Sequence, residues 1–237
     1  MIDNLANALY KSIYDADEPR VFEHWHASSI AECPRAQYYK RLGLKPLNKP
    51  TAAKMLRWQA GHLIEEVVRP HLKGLYPDLV SNERITDEVM DLTGEFDNYS
   101  KENKELIEVK SVGPRAVRYK KKDEDRYNLR DDAPYLAHLY QNHAYVLLLR
   151  ATGLPVEKIT FLYVTLEGLL VTYQTRVDEK ILSNVTKRLG VLKMAQASVL
   201  PSCLCRSDHP LWASSMQFCD FRSDNECCSE KLLNVKE

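Results

Sequence analysis

The chain has 237 residues, of which 44% are hydrophobic and 28% are charged, a composition typical of a soluble globular protein with a core. The 33 basic residues balance the 33 acidic ones, so the overall charge gives no argument for nucleic-acid binding. The longest apolar run, residues 144–149, is far shorter than the roughly 20 residues of a membrane span, and the N-terminus lacks a signal-peptide pattern. A cytoplasmic protein without a membrane partner is expected.

Three helices are predicted in the first third of the chain. Apolar residues at helical spacing predict an amphipathic helix over residues 2–13, and Pro34 with Gly43 brackets a short second helix. A third helix is predicted over residues 51–69, ended by Pro70. We expect its buried side to carry Leu56, Ala60, Leu63, Ile64, Val67 and Val68.

The rest of the chain alternates predicted strands and helices. A β-rich stretch over residues 80–112 contains a hairpin, and Pro134 and Gly153 then bracket a helix. A second hairpin follows over residues 159–176, and Asp178 is the predicted N-cap of a last long helix.

This order of elements predicts an α/β or α+β fold with a central mixed β-sheet flanked by helices. We expect a single domain over residues 1–237. Its parts are a helical region over residues 1–75, a core sheet and helix over residues 76–177, and a last helix with a cysteine-rich tail over residues 178–237.

The first hairpin is predicted to bring two carboxylates and a lysine together. If its turn is centred between Glu102 and Asn103, Asp97 comes opposite Glu108, which shares its strand face with Lys110. Opposed side chains lie about 4.5–5.5 Å apart at Cβ, where two carboxylates repel unless a divalent cation such as Mg²⁺ lies between them. Lys110 could then orient a water or stabilise charge on a phosphate. An ordinary charged surface hairpin is the alternative.

Two further polar pairs lie at helical spacing. His62 and Glu66 share a face of the third predicted helix, close to Glu65, and could complete a metal site; a hydrogen-bonded histidine is the alternative. Gln141 and Tyr145 are also four residues apart, and an amide beside a tyrosine suits a phosphate or a base. Amphipathic helices carry such pairs at their borders as well.

One stretch of the chain, residues 115–132, is strongly basic. Its arginines and lysines could neutralise backbone phosphates, and its tyrosines could stack on unpaired bases. Acidic residues within the stretch dilute the positive field, so a solvated loop is an equal alternative. The candidate DNA-binding residues are Arg115, Arg118, Tyr119 and Lys121.

Six cysteines in a chain of this kind favour metal or cluster ligation over a disulfide framework. Cys33 lies near the N-terminus, and the others crowd the tail, at Cys203, Cys205, Cys219, Cys227 and Cys228. One ligand from Cys33 and three from the tail would bind Zn²⁺ or an iron–sulfur cluster and tie the two ends of the chain together. The two Cys-x₂-Cys pairs usual in a zinc knuckle are missing, and a set of free thiols is the remaining alternative.

Together these motifs resemble the RecB-like branch of the PD-(D/E)XK nuclease superfamily. The resemblance is strongest to its iron–sulfur type, which includes the fourth CRISPR-associated Cas family, the AddAB nuclease and related phage exonucleases. It covers about residues 25–228 and rests on Ser29-Ile30-x-x-Cys33-Pro34 with Tyr38-Tyr39, Gly61-His62-x-x-Glu65, Gly94-x-x-Asp97, Glu108-Val109-Lys110 and Gln141-x-x-x-Tyr145.

The resemblance implies a catalytic site. His62, Asp97 and Glu108 would bind Mg²⁺ or Mn²⁺. Lys110 would assist the attacking water, while Gln141 and Tyr145 would position the DNA strand.

The resemblance also implies a [4Fe–4S] cluster with a structural role. The family usually ends in a tight Cys-x₂-Cys-x₅-Cys, but Met216 stands where the first of these cysteines would fall. Cys205, or alternatively Cys203, must then supply that ligand. The implied ligands are Cys33, Cys205, Cys219 and either Cys227 or Cys228.

The expected function is that of a metal-dependent DNA exonuclease acting on single-stranded or unwound DNA. The family implies a role in CRISPR adaptation and antiviral defence, or in phage or host recombination and repair, with DNA and proteins of those pathways as partners and an oligomer as an open option. Two rivals remain: a non-catalytic DNA-binding partner subunit that retains the nuclease fold, and a zinc-stapled DNA-binding protein. The zinc protein would be colourless, whereas an iron–sulfur protein is brown.

Overall fold

The computed structural model describes residues 8, 11–12, 22–44, 46–48, 50–119, 127–129, 133–196, 200–201 and 221. The predicted helix over residues 2–13 falls almost entirely outside these ranges. The same is true of several candidate site residues, namely Lys121, Cys203, Cys205, Cys219, Cys227 and Cys228.

The described elements follow the predicted order of helices and strands. In chain order they are β1 (Trp25–His26), α1 (Pro34–Arg41), α2 (Ala52–Leu75), β2 (Leu79–Asp87), β3 (Leu92–Ser100), β4 (Glu105–Val112), β5 (Val117–Tyr119), β6 (Tyr127–Leu129), α3 (Leu136–Ala151), β7 (Lys158–Thr165), β8 (Leu170–Arg176) and α4 (Glu179–Gln196). Within these ranges, no helix combines the length and the apolar character that crossing a membrane requires.

Six of the described strands form one mixed sheet, as predicted. β3 pairs antiparallel with β4, β4 pairs parallel with β7, and β7 pairs antiparallel with β8. A parallel pair needs a long crossover connection, and α3 lies within the one that joins β4 to β7. β5 and β6 form a separate two-stranded ribbon within the basic stretch.

One edge of β3 is shared by two different strands. β2 pairs along the opposite edge from Leu92 to Ser100, except at Asp97. On the shared edge, β1 pairs with Leu92 and Thr93, whereas β4 pairs only with residues 98–100. Residues 94–97 therefore lack a ladder partner on this edge within the described chain, and the sheet opens there.

Helices cover both faces of the sheet. Side chains alternate along β4, so Leu106 belongs to the core formed with α3 and α4, while Ile107 and Val109 pack on the other face. Ile64, Val68 and Leu72 of α2 cover that second face. The opening at β3 is thus the place where groups from both helical layers can meet.

The helix α2 is longer than predicted. Its predicted end at Pro70 is wrong, because the helix continues through this proline to Leu75. An internal proline costs a helix about 3 kcal/mol through a lost hydrogen bond and a steric clash. Leu72 offsets part of this cost, because it is buried against Ile107 and Val109 on the sheet.

The predicted buried side of α2 is wrong for half of its residues. Leu56, Leu63 and Val67 are 43%, 62% and 67% exposed. The helix is rotated because Gly61 faces the end of β4, where a Cβ built on this glycine would lie 3.1 Å from Ser111 Oγ. Of the predicted set, Ile64 and Val68 pack against the sheet and Ala60 is half-buried.

The later element boundaries agree with their predictions. Gly153 and Gly168 have φ values of +80° and +83°, in the left-handed region that favours glycine at the end of α3 and in the β7–β8 turn. Asp178 caps α4, since its Oδ1 accepts a hydrogen bond from the Lys180 backbone N–H at 2.8 Å. These glycines and this cap thus specify where α3 ends, where β7 turns into β8 and where α4 begins.

Candidate active site

The hairpin of β3 and β4 has the predicted register. Asn98 lies opposite Ile107, and one further step of the same register places Asp97 opposite Glu108. Backbone pairing ends at this point, and the side chain of Asp97 takes its place. Its Oδ2 accepts a hydrogen bond from the Val109 backbone N–H at 2.8 Å, which holds the carboxylate at the opening of the sheet.

Glu108 lies fully buried beside Asp97. Its Oε1 atom accepts hydrogen bonds from Lys110 Nζ at 2.5 Å and from Gln141 Nε2 at 2.9 Å. Its Oε2 atom is buried and accepts no hydrogen bond from the described residues. Leaving a buried acceptor unsatisfied costs about 1–3 kcal/mol, and more for a charged group. This oxygen therefore indicates a site built for a ligand that the protein does not supply.

Three carboxyl groups around the opening have raised pKa values. Burial and the charge of Asp97 raise the pKa of Glu108 to about 8. Burial raises the pKa of Asp97, and burial together with Asp97 raises that of Glu65. Although burial opposes the charge on Lys110, Glu108 and Asp97 raise the pKa of this amine above its usual range. Crowded negative charge of this kind favours a bound divalent cation.

The helix α2 brings Glu65 and His62 to the site from the other face of the sheet. The Glu65 side chain is only 21% exposed, and its pKa responds to both Asp97 and Lys110. His62 is 77% exposed, with its Nδ1 atom 3.6 Å from Glu65 Oε2. The structure therefore places Glu65 more deeply in the site than His62, the residue of this helix that the family resemblance implies as a metal ligand.

The helix α3 contributes Gln141 and Tyr145. The Gln141 amide nitrogen donates to Glu108 Oε1 and also to the Tyr145 hydroxyl at 3.0 Å. Tyr145 is 4% exposed, and burial raises the pKa of its phenol, which keeps it protonated. In this structure the pair orients Glu108, and its predicted contact with DNA stays a prediction.

Gly94 permits the close approach of Tyr145 to β3. A Cβ at this position would lie 2.6 Å from Tyr145 Cε1 and 2.8 Å from the Ala27 Cβ. Gly94→Ala is therefore expected to displace Tyr145 and to lower the free energy of unfolding by about 1–3 kcal/mol. Urea unfolding measures the loss. Gly190→Ala is the matched control, because a Cβ there meets no atom within 4 Å in α4, and it should stabilise slightly. Equal stability of the two variants would contradict the packing argument.

An aromatic group behind Lys110 was not predicted from the sequence. Tyr163 lies opposite Lys110 in the β4–β7 ladder and is fully buried. His138 Nδ1 lies 3.1 Å from its hydroxyl, and the two rings are stacked. Burial and the charge of Lys110 lower the pKa of His138 to about 3, so this histidine is neutral. His138 precedes Gln141 by three residues on α3, and this helical spacing could have indicated that the histidine lies near the site.

The candidate DNA-binding arginines follow β4 in the chain. Arg115 belongs to the turn that follows this strand, and Arg118 belongs to β5; both are exposed. Tyr119 is the last residue of β5. The structure thus brings the start of the basic stretch next to the strand that carries Glu108 and Lys110.

Cys33 lies away from the carboxylates, at the N-cap of α1. It is 4% exposed and packs in a cluster with Tyr39 and Phe221, whose ring centroids are 5.3 Å apart. Arg35 Nε donates a hydrogen bond to the Pro201 carbonyl oxygen at 2.8 Å. Both described pieces of the C-terminal tail therefore contact the segment that carries Cys33.

The carboxylates fit a hard divalent cation. No three His, Cys, Asp or Glu side chains of the described ranges gather into a metal-binding group. Mg²⁺, however, is usually held by one or two carboxylates together with waters and substrate phosphates rather than by a protein cage. Asp97 and Glu108 meet that requirement, since Glu108 Oε2 is buried without a donor from the described residues.

Comparisons with known proteins show the fold. No family model matches the sequence, and a search of curated proteins finds no match. Among solved structures, an alkaline exonuclease (LHK-Exo) from Laribacter hongkongensis is similar with a TM-score of 0.50 at 11% identity, over 79% of this chain and 93% of that chain. Its complex with dAMP is similar with a TM-score of 0.50 at 12% identity, over 75% of this chain and 89% of that chain. The chain therefore has the mixed α/β fold of this exonuclease.

Proposed function

We propose that this protein is a metal-dependent deoxyribonuclease that hydrolyses phosphodiester bonds from the ends of single-stranded or unwound DNA. The observation that carries the proposal is the buried Glu108 Oε2 atom, which accepts no hydrogen bond from the described part of the chain and lies beside Asp97 and Lys110 at an opening in the sheet. The shared fold supports it, because the similar solved protein is an exonuclease that has been seen with dAMP.

The residues around the opening divide the work. Asp97 and Glu108 would hold Mg²⁺ or Mn²⁺, with Glu65 and His62 beside them. When bound, the cation supplies Lewis acidity that stabilises charge on the scissile phosphate. Lys110 stays protonated, because Glu108 and Asp97 raise its pKa, and its ammonium group can donate to a phosphate oxygen or orient a water.

Gln141 fixes the orientation of Glu108 during this chemistry. It donates to Oε1, the same oxygen that Lys110 contacts, and thereby leaves Oε2 for the cation. His138 and Tyr163 are uncharged and pack together behind Lys110, which limits the directions in which the lysine side chain can move.

A structural [4Fe–4S] cluster is the second part of the proposal. Its ligands would be Cys33, Cys205, Cys219 and either Cys227 or Cys228. The packing of Phe221 against the Cys33 cluster supports this assignment, because Phe221 lies two residues after Cys219. The family resemblance extends the proposal to a role in CRISPR adaptation or in recombination and repair, with other proteins of those pathways as partners.

The test of the nuclease proposal is a cleavage assay on end-labelled linear and on circular single-stranded DNA, with full-length protein prepared without oxygen. We expect linear DNA to be degraded with Mg²⁺ or Mn²⁺, circular DNA to resist, and EDTA to stop the reaction. Equal cleavage of circular DNA would make the protein an endonuclease. No cleavage by a brown, folded protein would favour the non-catalytic DNA-binding alternative, and a colourless protein containing zinc would favour the zinc-stapled one.

His62→Ala is expected to weaken the metal site without abolishing it. The imidazole is exposed and contacts the site through Glu65, and removing such a supporting partner typically costs about 10- to 100-fold in metal affinity or activity. Titration with Mn²⁺ should therefore restore most of the cleavage rate. Full activity at low Mn²⁺ would show that His62 plays no part in the site.

A further inference from the structure

Trp58 is an exposed aromatic side chain on α2. Among the large apolar side chains that are exposed in the described ranges, Trp58 is the one aromatic, with 51% of its surface accessible. Exposing half of an indole forgoes a large amount of apolar burial. Its position explains the exposure.

Trp58 lies on the face of α2 that points to the active site. It precedes Glu65 by seven residues, which is close to two full helical turns, so the two side chains leave the helix in nearly the same direction. Further along this face, Leu72 packs on Ile107 and Val109, and Gly61 faces Ser111.

These contacts fix how α2 runs along β4. The helix and the strand run in opposite directions. Leu72 packs near Ile107, whereas Gly61, earlier in the helix, lies near Ser111, which is the residue after Lys110. Trp58 lies three residues, about 4.5 Å of rise, beyond Gly61. It therefore overhangs the end of β4, past Lys110, where the strand stops.

Basic side chains flank Trp58 on α2 and follow the end of β4. Lys54 Nζ lies 5.1 Å from the centroid of the indole ring, in the range of a cation–π contact that orients the ring. Arg57 is exposed next to it on α2, and Arg115 is exposed in the turn after β4. An aromatic face among basic side chains is suited to a nucleic-acid strand, because phosphates pair with the cations while a base stacks on the ring.

We propose that Trp58 is a stacking platform for an unpaired base of the DNA strand, close to the scissile phosphate. The inference rests on the proposed function and adds the reason for a preference for single-stranded ends. A base inside a duplex is already stacked on both sides and presents no free face to the indole. An unpaired base has such a face, whatever its identity, so the platform selects strand state and not sequence.

The test measures DNA affinity separately from cleavage. Fluorescence anisotropy in EDTA compares a labelled single-stranded oligonucleotide with an oligonucleotide of the same length that lacks its bases, using the full chain. Base–aromatic stacking is worth about ten- to a hundredfold in affinity when the aromatic is replaced by alanine. Trp58→Ala should therefore lose that factor on the normal oligonucleotide and nothing on the abasic one, and Trp58→Phe should keep most of the affinity.

Leu63→Ala is the matched control. Leu63 is a similarly exposed apolar residue on the same helix, at 62%, but it lies five residues on and points away from the Trp58 face. We expect it to leave both affinities unchanged. Equal losses for Trp58→Ala on both oligonucleotides, or no loss on either, would overturn the inference, as would failure of the unaltered protein to bind.

The outcomes separate this inference from the function on which it rests. Cleavage by the unaltered protein combined with a silent Trp58→Ala variant would leave a nuclease without the platform. Base-dependent binding through Trp58 in a protein that never cleaves would keep the platform and remove the nuclease.

Discussion

Glu108→Gln is expected to abolish metal-dependent DNA cleavage, with a loss of about a thousandfold or more, because the Lewis acidity of a bound metal is worth several kcal/mol in the transition state. The substitution keeps the volume of the side chain and its contact with Gln141, but it removes the charge that would hold the cation. Asp97→Asn should act in the same way. The measurement is the initial rate of release of labelled nucleotides from single-stranded DNA in Mg²⁺ and in Mn²⁺.

Glu105→Gln provides the matched control for this substitution. Glu105 lies on the same strand and is 2% exposed, but it faces the opposite side of the sheet. Its two oxygens are bonded by Thr160, Gln174 and Lys158. We expect Glu105→Gln to lower the free energy of unfolding by about 1–3 kcal/mol through disturbed hydrogen bonds, and to leave the cleavage rate per folded molecule unchanged.

Lys110→Ala extends the comparison to the third charged residue at the opening between β3 and β4. Its loss leaves Glu108 and Asp97 without the ammonium group beside them. We therefore expect a strongly reduced rate of DNA cleavage, and a rate that depends more steeply on the concentration of added metal. A purified, folded Glu108→Gln or Asp97→Asn protein that cleaves DNA at nearly the unaltered rate would remove the proposed site.

The β3–β4 register could be predicted because it depends on local chemistry. A polar turn between two β-prone runs fixes which residues face each other, and the alternation of a strand then places Glu108 and Lys110 on one side. The contact of Gln141 with Glu108 depends on α3, whose ends are marked by Pro134 and Gly153. Register and helix ends of this kind depend on residues that are neighbours in the sequence, so they can be predicted from it.

The opening of the sheet could not be predicted in this way. It lies between β4, which pairs with residues 98–100 of β3, and β1, formed by residues 25–26, which pairs with Leu92 and Thr93 of β3. That pairing joins segments almost 70 residues apart and has no local signature, since β1 is only two residues long. The same holds for Tyr163, which reaches Lys110 only through the parallel pairing of β4 and β7.

The rotation of α2 has a related cause. Periodicity predicted that Leu63 and Val67 would be buried together with Ile64 and Val68, because all of them are apolar. The contact between Gly61 and Ser111 selects a different face, which brings Glu65 into the site and leaves Leu63 and Val67 outside. Tertiary contacts thus override the helical pattern at the point where the helix supplies functional groups.

Cys33→Ser is expected to lose the proposed cluster and to destabilise the whole protein. The ligand would tie α1 to tail cysteines about 170–195 residues away in the sequence. Closing so long a loop stabilises a fold by about 5 kcal/mol in the chain-entropy treatment of disulfides, which we apply here to a cluster. The buried contacts of Cys33 with Tyr39 and Phe221 would remain, so the effect measures the ligand and not the packing.

The measurement is iron and acid-labile sulfide per chain in protein prepared without oxygen, together with the unfolding temperature. The unaltered protein should contain about four iron atoms per chain, and the Cys33→Ser variant close to none, with Cys205→Ser and Cys219→Ser behaving alike. Cys203→Ser serves as the matched control, since it removes a tail thiol that the proposed ligand set does not use. A full complement of iron in the Cys33 variant would mean that the tail binds its cluster alone, and the tie between the two ends of the chain would have to be abandoned.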